Sequence, residues 1–457
     1  MLNLNQLKKL YTNSPLWLQK IYAFIPHDIR NGAEYRRWQN FLQENISTKE
    51  YQLLKIKETI LYAYENTDYY KKTYSALDIS PFDIKTIQDV SKLPVIDKSI
   101  VKKYFFQLCA KNFSSSNTFY VTTGGTSGTP MKFLQSNNVW KKELAFNINY
   151  FSQYGYSPSD LKASFRGGTF DRLPQNQYWK YNPINHEIHF SPFHINEHTV
   201  QHYVKKLNRV RPKFFHSYPS SLLSLIAHME NRHLSLNYKP KTIFLISENF
   251  TNEDSVRIST FFQCTISSFY GHSERLIFAP NHSDTLDAYK VDSRYGLCEL
   301  IDSNNNIITT NQLEGELVGS SFDNFAMPLI RYRTEDFAHY IDTDQKILSP
   351  IKGRWSQDFF LGKHKEKIYL TALNMHSDVF KNVQRYQFCQ LKPGTVTLCI
   401  VPTKLFQKID SKNIVEALKS KVGHTLSFQI KLVDQLQLTK RGKFKKIMLS
   451  KELLETS

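Results

Sequence analysis

The stretch "CTISSFYGHSE", Cys264 to Glu274, starts as an apolar, β-prone run and ends in polar residues. It reads as a buried strand that delivers Tyr270, Gly271, His272, Ser273 and Glu274 at its carboxyl end. "PKTIFLISENF", Pro240 to Phe250, has the same build. Its continuous apolar run, Ile243 to Ile246, suits a buried parallel strand and hands over to Ser247, Glu248 and Asn249. "SYPSSLLSLIAHME" reads as a helix, with Ser217 or Ser220 as the capping residue. Strands alternating with helices define an α/β architecture. Ligands in such sheets bind at the carboxyl ends of strands, so the polar residues just named become site candidates. A tyrosine ring there can stack on a base, and a carboxylate can hold Mg²⁺ bound to a triphosphate. The competing reading is a turn in which Glu274 pairs with Arg275 or caps a helix.

Upstream, residues 1 to about 115 read as mainly helical. "STKEYQLLKIKETILYAYENT" opens with a capping box, Ser47 with Glu50, followed by Leu53, Leu54, Ile56, Ile60 and Leu61 as an apolar face. "LPVIDKSIVKKYF" reads as a short extended piece and then a helix from Asp97. "NTFYVTTGG" is a strand entering the loop "VTTGGTSGTPMKF", Val121 to Phe133. In that loop Thr122, Thr123, Gly124, Gly125, Thr126, Ser127, Gly128 and Thr129 offer close backbone N–H groups and hydroxyl donors, the chemistry that cradles phosphate. The Gly-Lys-Ser/Thr ending of a Walker loop is absent.

Downstream, Tyr289 to Tyr340 reads as short β segments, and "PLIRYRTEDFAHY" sets Asp336 beside Arg331 and Arg333. An aspartate at such a junction can accept two ribose hydroxyls; its alternative is a surface ion pair of little worth. The texture changes at "IKGRWSQDFF", which carries Gly353 and Arg354. The last hundred or so residues then read as a small α+β unit: strand "GTVTLCIVP", helix "DSKNIVEALKSKVG", strand "FQIKLVD". Lys443 follows a glycine in "KRGKFKKI" near the end.

The 457 residues exceed one compact core, and 59 basic against 41 acidic side chains leave +18, which invites a polyanionic partner. The lysines are scattered, and neither zinc-finger spacing nor an RNA-binding aromatic motif is present, so nucleic acid is not the expected partner. The five cysteines lie outside any CxxC pattern, which fits core thiols in a reducing cytoplasm and argues against zinc. Near the N-terminus, Leu16, Trp17, Ile21, Tyr22, Phe24 and Ile25 lie among Lys8, Lys9, Lys20 and Arg30. This segment reads either as a helix packed on its own domain or as a helix lying on a membrane surface. The expected location is cytoplasmic, with peripheral association at the inner membrane surface as the variant. Oligomeric state is left open.

The pieces also occur in a telling order: Gly/Thr loop, Tyr-Gly-x-Ser-Glu, Tyr-Arg-Thr-x-Asp, Gly-Arg, terminal Gly-Lys. In that order and approximate spacing the chain resembles the adenylate-forming superfamily. More narrowly it resembles the phenylacetate–coenzyme A ligase family, in the CapK-like branch found with capsule and surface-polysaccharide genes. "LPVIDKSIVKK", "SYPSSLL", "SENFT", "GELVGSSFDNFAMPLIRYRTED" and "KGRW" carry the likeness over nearly the whole chain. The resemblance implies a large N-terminal adenylation domain of βα subdomains over residues 1–352, divided into a helical part (1–115), an α/β core (116–288) and a smaller β-rich part (289–352). A small mobile α+β domain, 353–457, would follow, swinging about Gly353 to Asp358.

It also implies a ligase that activates a carboxylic acid with ATP and Mg²⁺, releases pyrophosphate, and passes the acyl group from the adenylate to a thiol, coenzyme A or a carrier, or to an amine. Thr122 to Thr129 would hold the β- and γ-phosphates, with Thr126 and Ser127 as hydroxyl donors. Glu274 would carry Mg²⁺. Ser247, Glu248 and Asn249 would lie near adenine, and Tyr270 would stack on it. Gly271, His272 and Ser273 complete that motif. Asp336 would hold the ribose, Arg354 would assist near ribose or phosphate, and Lys443 would bridge the acyl oxygen and the α-phosphate. The alternative is a non-catalytic member that binds nucleotide or a partner in a polysaccharide assembly.

Three departures stand out. Met131 rather than lysine follows the loop proline, with Lys132 next. Glu335 replaces the glycine of Thr-Gly-Asp. Trp355, Ser356, Gln357 and Asp358 follow Gly-Arg where an acidic pair is usual. Phe215, His216, Tyr218 and His272 are candidates for an acyl pocket, and Arg166 for a second acidic group on the substrate; core packing is the competing role for each.

Overall fold

The structure, a computed structural model, describes residues 10–11, 14–114, 117–123, 131–167, 170, 173–248, 250–282, 286–352, 359–373, 378–434, 436–437, 447–450 and 453. The first part is helical, as expected: Leu16–Ala23, His27–Gln43, Thr48–Asn66, Asp68–Ala76, Lys98–Lys103 and Phe105–Leu108. Ser47 sits at the N-cap of Thr48–Asn66 in extended conformation but makes no side-chain cap bond, so the expected capping box does not form. Thr67 instead separates two helices. Its hydroxyl donates to Ala63 O at 2.8 Å and accepts from Tyr70 N, ending one helix and starting the next. Leu54 is exposed, and the buried face of this helix runs through Gln52, Ile56, Thr59, Ile60 and Ala63.

Strands β1 (Thr118–Thr123) and β2 (Met131–Ser136) form an antiparallel pair, and the Asn137–Ser152 helix follows. The central sheet contains β3 (Lys162–Phe165), β4 (Trp179–Asn182), β5 (Glu187–Phe190), β6 (Phe214–Ser217), β7 (Thr242–Leu245), β8 (Thr265–Gly271) and β9 (Phe278–Pro280). Their spatial order is β4-β5-β3-β6-β7-β8-β9. β5, β3, β6, β7 and β8 are mutually parallel.

Residue alternation assigns each strand's two faces. Phe165, Phe190, Phe215, Ile243 and Leu245 pack with helices Val200–Val210, Pro219–Asn231 and Asn252–Phe262. Phe214 and Phe244 face the other way, into Trp38, Phe146 and Phe151 of His27–Gln43 and Asn137–Ser152. Helices thus cover both faces of a parallel sheet, which is why its strands read as unbroken apolar runs.

A second sheet is antiparallel: β10 (Tyr289–Lys290), β11 (Gly296–Ile301), β12 (Glu314–Ser321), β13 (Tyr332–Asp342) and β14 (Ile347–Leu348), in the order β10-β14-β13-β12-β11. It is clamped onto the end of β8 at two glycines. A Cβ on Gly296 would lie 2.1 Å from Leu276 O, and one on Gly319 would lie 2.6 Å from Leu276 Cβ. Only glycine lets β11 and β12 come this close to the segment after Glu274.

Next come β15 (Phe359–Leu361) and β16 (Lys367–Tyr369). A last sheet of β17 (Val383–Lys392), β18 (Thr395–Pro402), β19 (Ser427–Leu432) and β20 (Ile447–Leu449) is ordered β19-β18-β17-β20, with helix Lys408–Val422 against it. The α+β elements read from the sequence are present. Their core is shared with Phe170, Phe193, Tyr218 and Ile246 at the strand ends of the central sheet. Phe170 N donates to Ser420 O at 3.2 Å, and Thr425 Oγ1 to Phe193 O at 2.8 Å, across the same seam. All five cysteines are free thiols.

Candidate functional site

Tyr270, His272, Glu274 and Asp336 come together where β8 ends and the second sheet is clamped on. Glu274 is buried just beyond β8. One carboxylate oxygen accepts from the Tyr332 hydroxyl at 3.1 Å, and the other lies 3.1 Å from His272 Nδ1. Arg275, a pairing weighed for Glu274, bonds Gln135 instead. Burial alone would raise the Glu274 carboxyl. The hydrogen bond and charge of His272, with the more distant Lys98, take it below its ordinary value. Among the described residues His272 Nε2 is buried without a hydrogen-bond partner.

The Tyr270 hydroxyl donates to Asp336 Oδ2 at 2.8 Å, so β8 and β13 meet through a side-chain bond. Neither neighbouring arginine pairs with Asp336. Arg331 is buried with Glu299 at 3.2 Å and also donates to the carbonyls of Ser91 and Leu93, while Arg333 pairs with Glu316 at 2.6 Å. The surface ion pair weighed for Asp336 is therefore absent. Burial, opposed by the Tyr270 bond, holds the Asp336 carboxyl above its usual range.

Glu335 explains one departure in physical terms. Its φ of +66° is the left-handed conformation that glycine adopts freely and other residues adopt at a cost. Two contacts hold it there: its N–H donates to Glu316 Oε1 at 3.0 Å, and its carboxylate pairs with Lys98 at 2.8 Å.

Lys98 was given no role by sequence reasoning. It begins the helix capped by Asp97, whose carboxylate accepts from Ile100 N at 2.9 Å, and Ile96 just before it is hydrogen-bonded between Arg331 and Arg333. Those bonds set the ammonium beside β13, where it favours the ionised forms of both Glu274 and Asp336. The available signal was the run "VIDKS", Val95 to Ser99.

Residues 124–130 lie outside the described structure, but their flanks are placed. Thr123 and Met131 are register partners, and Thr122 pairs with Lys132. Met131 Sδ is 3.6 Å from the Tyr332 hydroxyl that also holds Glu274, and Gln135 Nε2 donates to Ser273 O at 3.0 Å. The loop therefore springs from a strand pair fastened to the Glu274 segment. Lys132 is exposed, and its ammonium sits 3.9 Å from the centroid of the Tyr120 ring.

Ser247 and Glu248 follow β7, which pairs with β8, and so occupy the same end of the sheet. Ser247 has φ +62°. Glu248 accepts from Ser220 N at 3.1 Å, in the first turn of the Pro219–Asn231 helix. That corrects the expected cap. Tyr218 occupies the N-cap without a side-chain bond, and the acceptor comes from Glu248 on the next strand end rather than from Ser217 or Ser220.

Among the pocket candidates, Phe215 lies in the helix-side core and Tyr218 in the core shared with the last sheet. His216 faces the opposite side, its ring 5.6 Å from Phe151. Arg166 pairs with Glu187 at 3.2 Å, and His189 bonds its carbonyl oxygen at 2.9 Å. Thr126 and the rest of 124–129, Asn249, Arg354, Lys443 and the Gly353 hinge lie outside the described residues.

This architecture has known counterparts. Two crystal structures of 2-hydroxyisobutyryl-CoA ligase superpose on 89% of the chain at 15% identity. The one in the thioesterification state with 2-HIB-AMP and CoA has a TM-score of 0.58 over 91% of that chain; the postadenylation state has 0.55 over 90%. The fold is that of an adenylate-forming ligase. A family model described as the CapK C-terminal domain matches residues 360–450. Protein CapK of Staphylococcus aureus is 23% identical across 96% of this chain and 98% of its own length. A phenylacetate-coenzyme A ligase of Aromatoleum evansii is 21% identical over 66% of this chain and 69% of its own. The resemblance read from the motifs thus holds: the chain is similar to the adenylate-forming superfamily and, within it, to the phenylacetate–coenzyme A ligase-like group on the CapK side.

Proposed function

We propose that the protein is an ATP-dependent carboxylate ligase. A carboxylate oxygen of the acid attacks the α-phosphorus of ATP, the α–β bridge breaks, and pyrophosphate leaves. A thiol or an amine then attacks the acyl carbonyl and AMP departs. The observation that supports this best is the side-chain bridge from Tyr270 to Asp336, formed next to a buried Glu274 held by His272 and Tyr332.

In this reading Asp336 takes the ribose hydroxyls, and its Tyr270 bond holds that ring beside the base. Ser247, Glu248 and Asn249 border the adenine. Thr122 to Thr129 receive the outer phosphates, and Arg354 assists near the ribose. Lys443 stabilises the charge that develops at the α-phosphate. The unit from residue 353 onward carries Lys443 in and out between the two half-reactions.

The residues fit a bound Mg²⁺. Among the described residues no group of three or more His, Cys, Asp or Glu side chains could hold a metal unaided, so an ion here would arrive with phosphates, as Mg²⁺ commonly does. The Glu274 carboxylate accepts from Tyr332, lies within bonding distance of His272 and also takes a bond from its own backbone N–H, and a carboxylate has lone pairs beyond these. When bound there, the ion would neutralise the leaving pyrophosphate.

Coenzyme A is one acceptor class, as in the names of the similar ligases. An amine on a sugar is the other, and it belongs with a role in surface-polysaccharide assembly. ATP–pyrophosphate exchange across aromatic, fatty, amino and uronic acids tests the reading. Exchange with one acid class that is lost in Lys443→Ala supports it; no exchange and no ATP binding overturns it.

A further inference from the structure

The helix Leu16–Ala23 contains no buried residue. Trp17 is 63% exposed, Ile21 56% and Phe24 86%, and these positions fall at helical i, i+4, i+7 spacing. Ile29 on the next helix is 62% exposed, and Leu16, Leu18, Tyr22 and Ile25 are exposed as well. Single exposed apolar residues need no explanation, but a contiguous patch of this kind marks an interaction site.

The segment is fastened rather than loose. The Tyr11 hydroxyl accepts from Ile184 N at 3.2 Å, and Arg30 donates to Ile184 O at 2.8 Å. The body of the protein therefore presents this surface outward. The expectation of a helix packed into its own domain is met along one edge only.

Charge selects the occupant. Residues 1–30 hold Lys8, Lys9, Lys20 and Arg30 against Asp28 alone, four minus one or +3, within a chain of net +18. Of these, Lys20, Asp28 and Arg30 are described; a second copy would bring the same net positive charge and be repelled, whereas an anionic surface is attracted. Tryptophan and tyrosine, apolar bodies with a polar edge, suit the boundary between headgroups and acyl chains. No helix among the described residues is long and apolar enough to cross a membrane, which leaves the surface plane as the place of contact.

We infer that the Leu16–Ile29 surface docks the protein peripherally on anionic lipid. The test is co-sedimentation of the full chain with phosphatidylcholine vesicles, with and without phosphatidylglycerol, at low and high salt. A triple variant, Trp17→Ser, Ile21→Ser and Phe24→Ser, is compared after circular dichroism shows an unchanged fold. The expected result is binding that grows with phosphatidylglycerol, weakens with salt, and drops at least about tenfold in the variant. Equal sedimentation with and without phosphatidylglycerol, or an unaffected variant, would overturn the inference. So would dimerisation in ultracentrifugation that the variant abolishes while vesicle binding is absent, since the patch would then join two copies.

Discussion

The Tyr270 hydroxyl donates to Asp336 Oδ2 at 2.8 Å, joining two residues 66 positions apart on different sheets. The bond engages one carboxylate oxygen and fixes the orientation of the tyrosine ring. Tyr270→Phe should keep the ring but leave a buried carboxylate short of a donor. Stability should fall by about 1–2 kcal/mol, and the KM for ATP should rise more than kcat falls. Urea melts and steady-state exchange kinetics measure the two effects.

Glu274→Gln preserves shape and can still bond Tyr332, so the fold should persist. Under the proposed reaction, pyrophosphate exchange should drop by about a hundredfold or more, because the variant lacks the carboxylate charge proposed to carry Mg²⁺ at the leaving pyrophosphate. Comparing exchange rates with melting temperature separates this loss from unfolding.

Lys98→Met removes the cation that favours the ionised forms of Glu274 and Asp336 and that holds Glu335 at positive φ. Without it both carboxyls should titrate higher, so the acidic limb of the exchange pH profile should move upward. An unmoved limb would show that Lys98 only shapes the backbone. Combining Lys98→Met with Glu335→Gly should recover stability, since glycine adopts that φ without cost.

Arg331→Met should behave differently from changes at the site. It strips the partner from buried Glu299 and should cost about 3–5 kcal/mol, with little change in the KM of the folded fraction. Adding Glu299→Leu should restore much of the stability. Thermal melts of the single and double variants test this.

Acid should weaken the central sheet through two histidines. Burial first, then the charge of Arg166, holds His189 down to about 4 and His216 to about 3, in a cluster that includes Lys162 and Glu187. Unfolded, each titrates near 6.5, so the unfolded chain takes up protons first as pH falls. Their contribution is fully present above the unfolded value and is lost below it, by up to about 1.4 kcal/mol per histidine per pH unit, until the folded pKa is reached. Urea midpoints at about pH 7 and about pH 5 should differ less in His189→Gln with His216→Gln.

Sequence alone determined the α/β class, the continuous runs of β7 and β8, and the polar residues they deliver. Local chemistry suffices there: a strand buried on both faces must be apolar throughout, and its polarity returns where the sheet ends. Motif order extended this to a resemblance that the fold then matched. Sequence did not decide which polar group meets which. Glu274 bonds Tyr332 rather than Arg275, Asp336 bonds Tyr270 rather than either arginine beside it, and Glu248 rather than a serine caps the 219–231 helix. Lys98 enters the site only because Ile96 bridges to β13. Each of these bonds closes a loop tens to hundreds of residues long, and linear spacing carries no information about such closures. The Glu274–Tyr332 and Tyr270–Asp336 bonds were settled by the packing of two sheets around Gly296 and Gly319, where the absence of a side chain allows the approach.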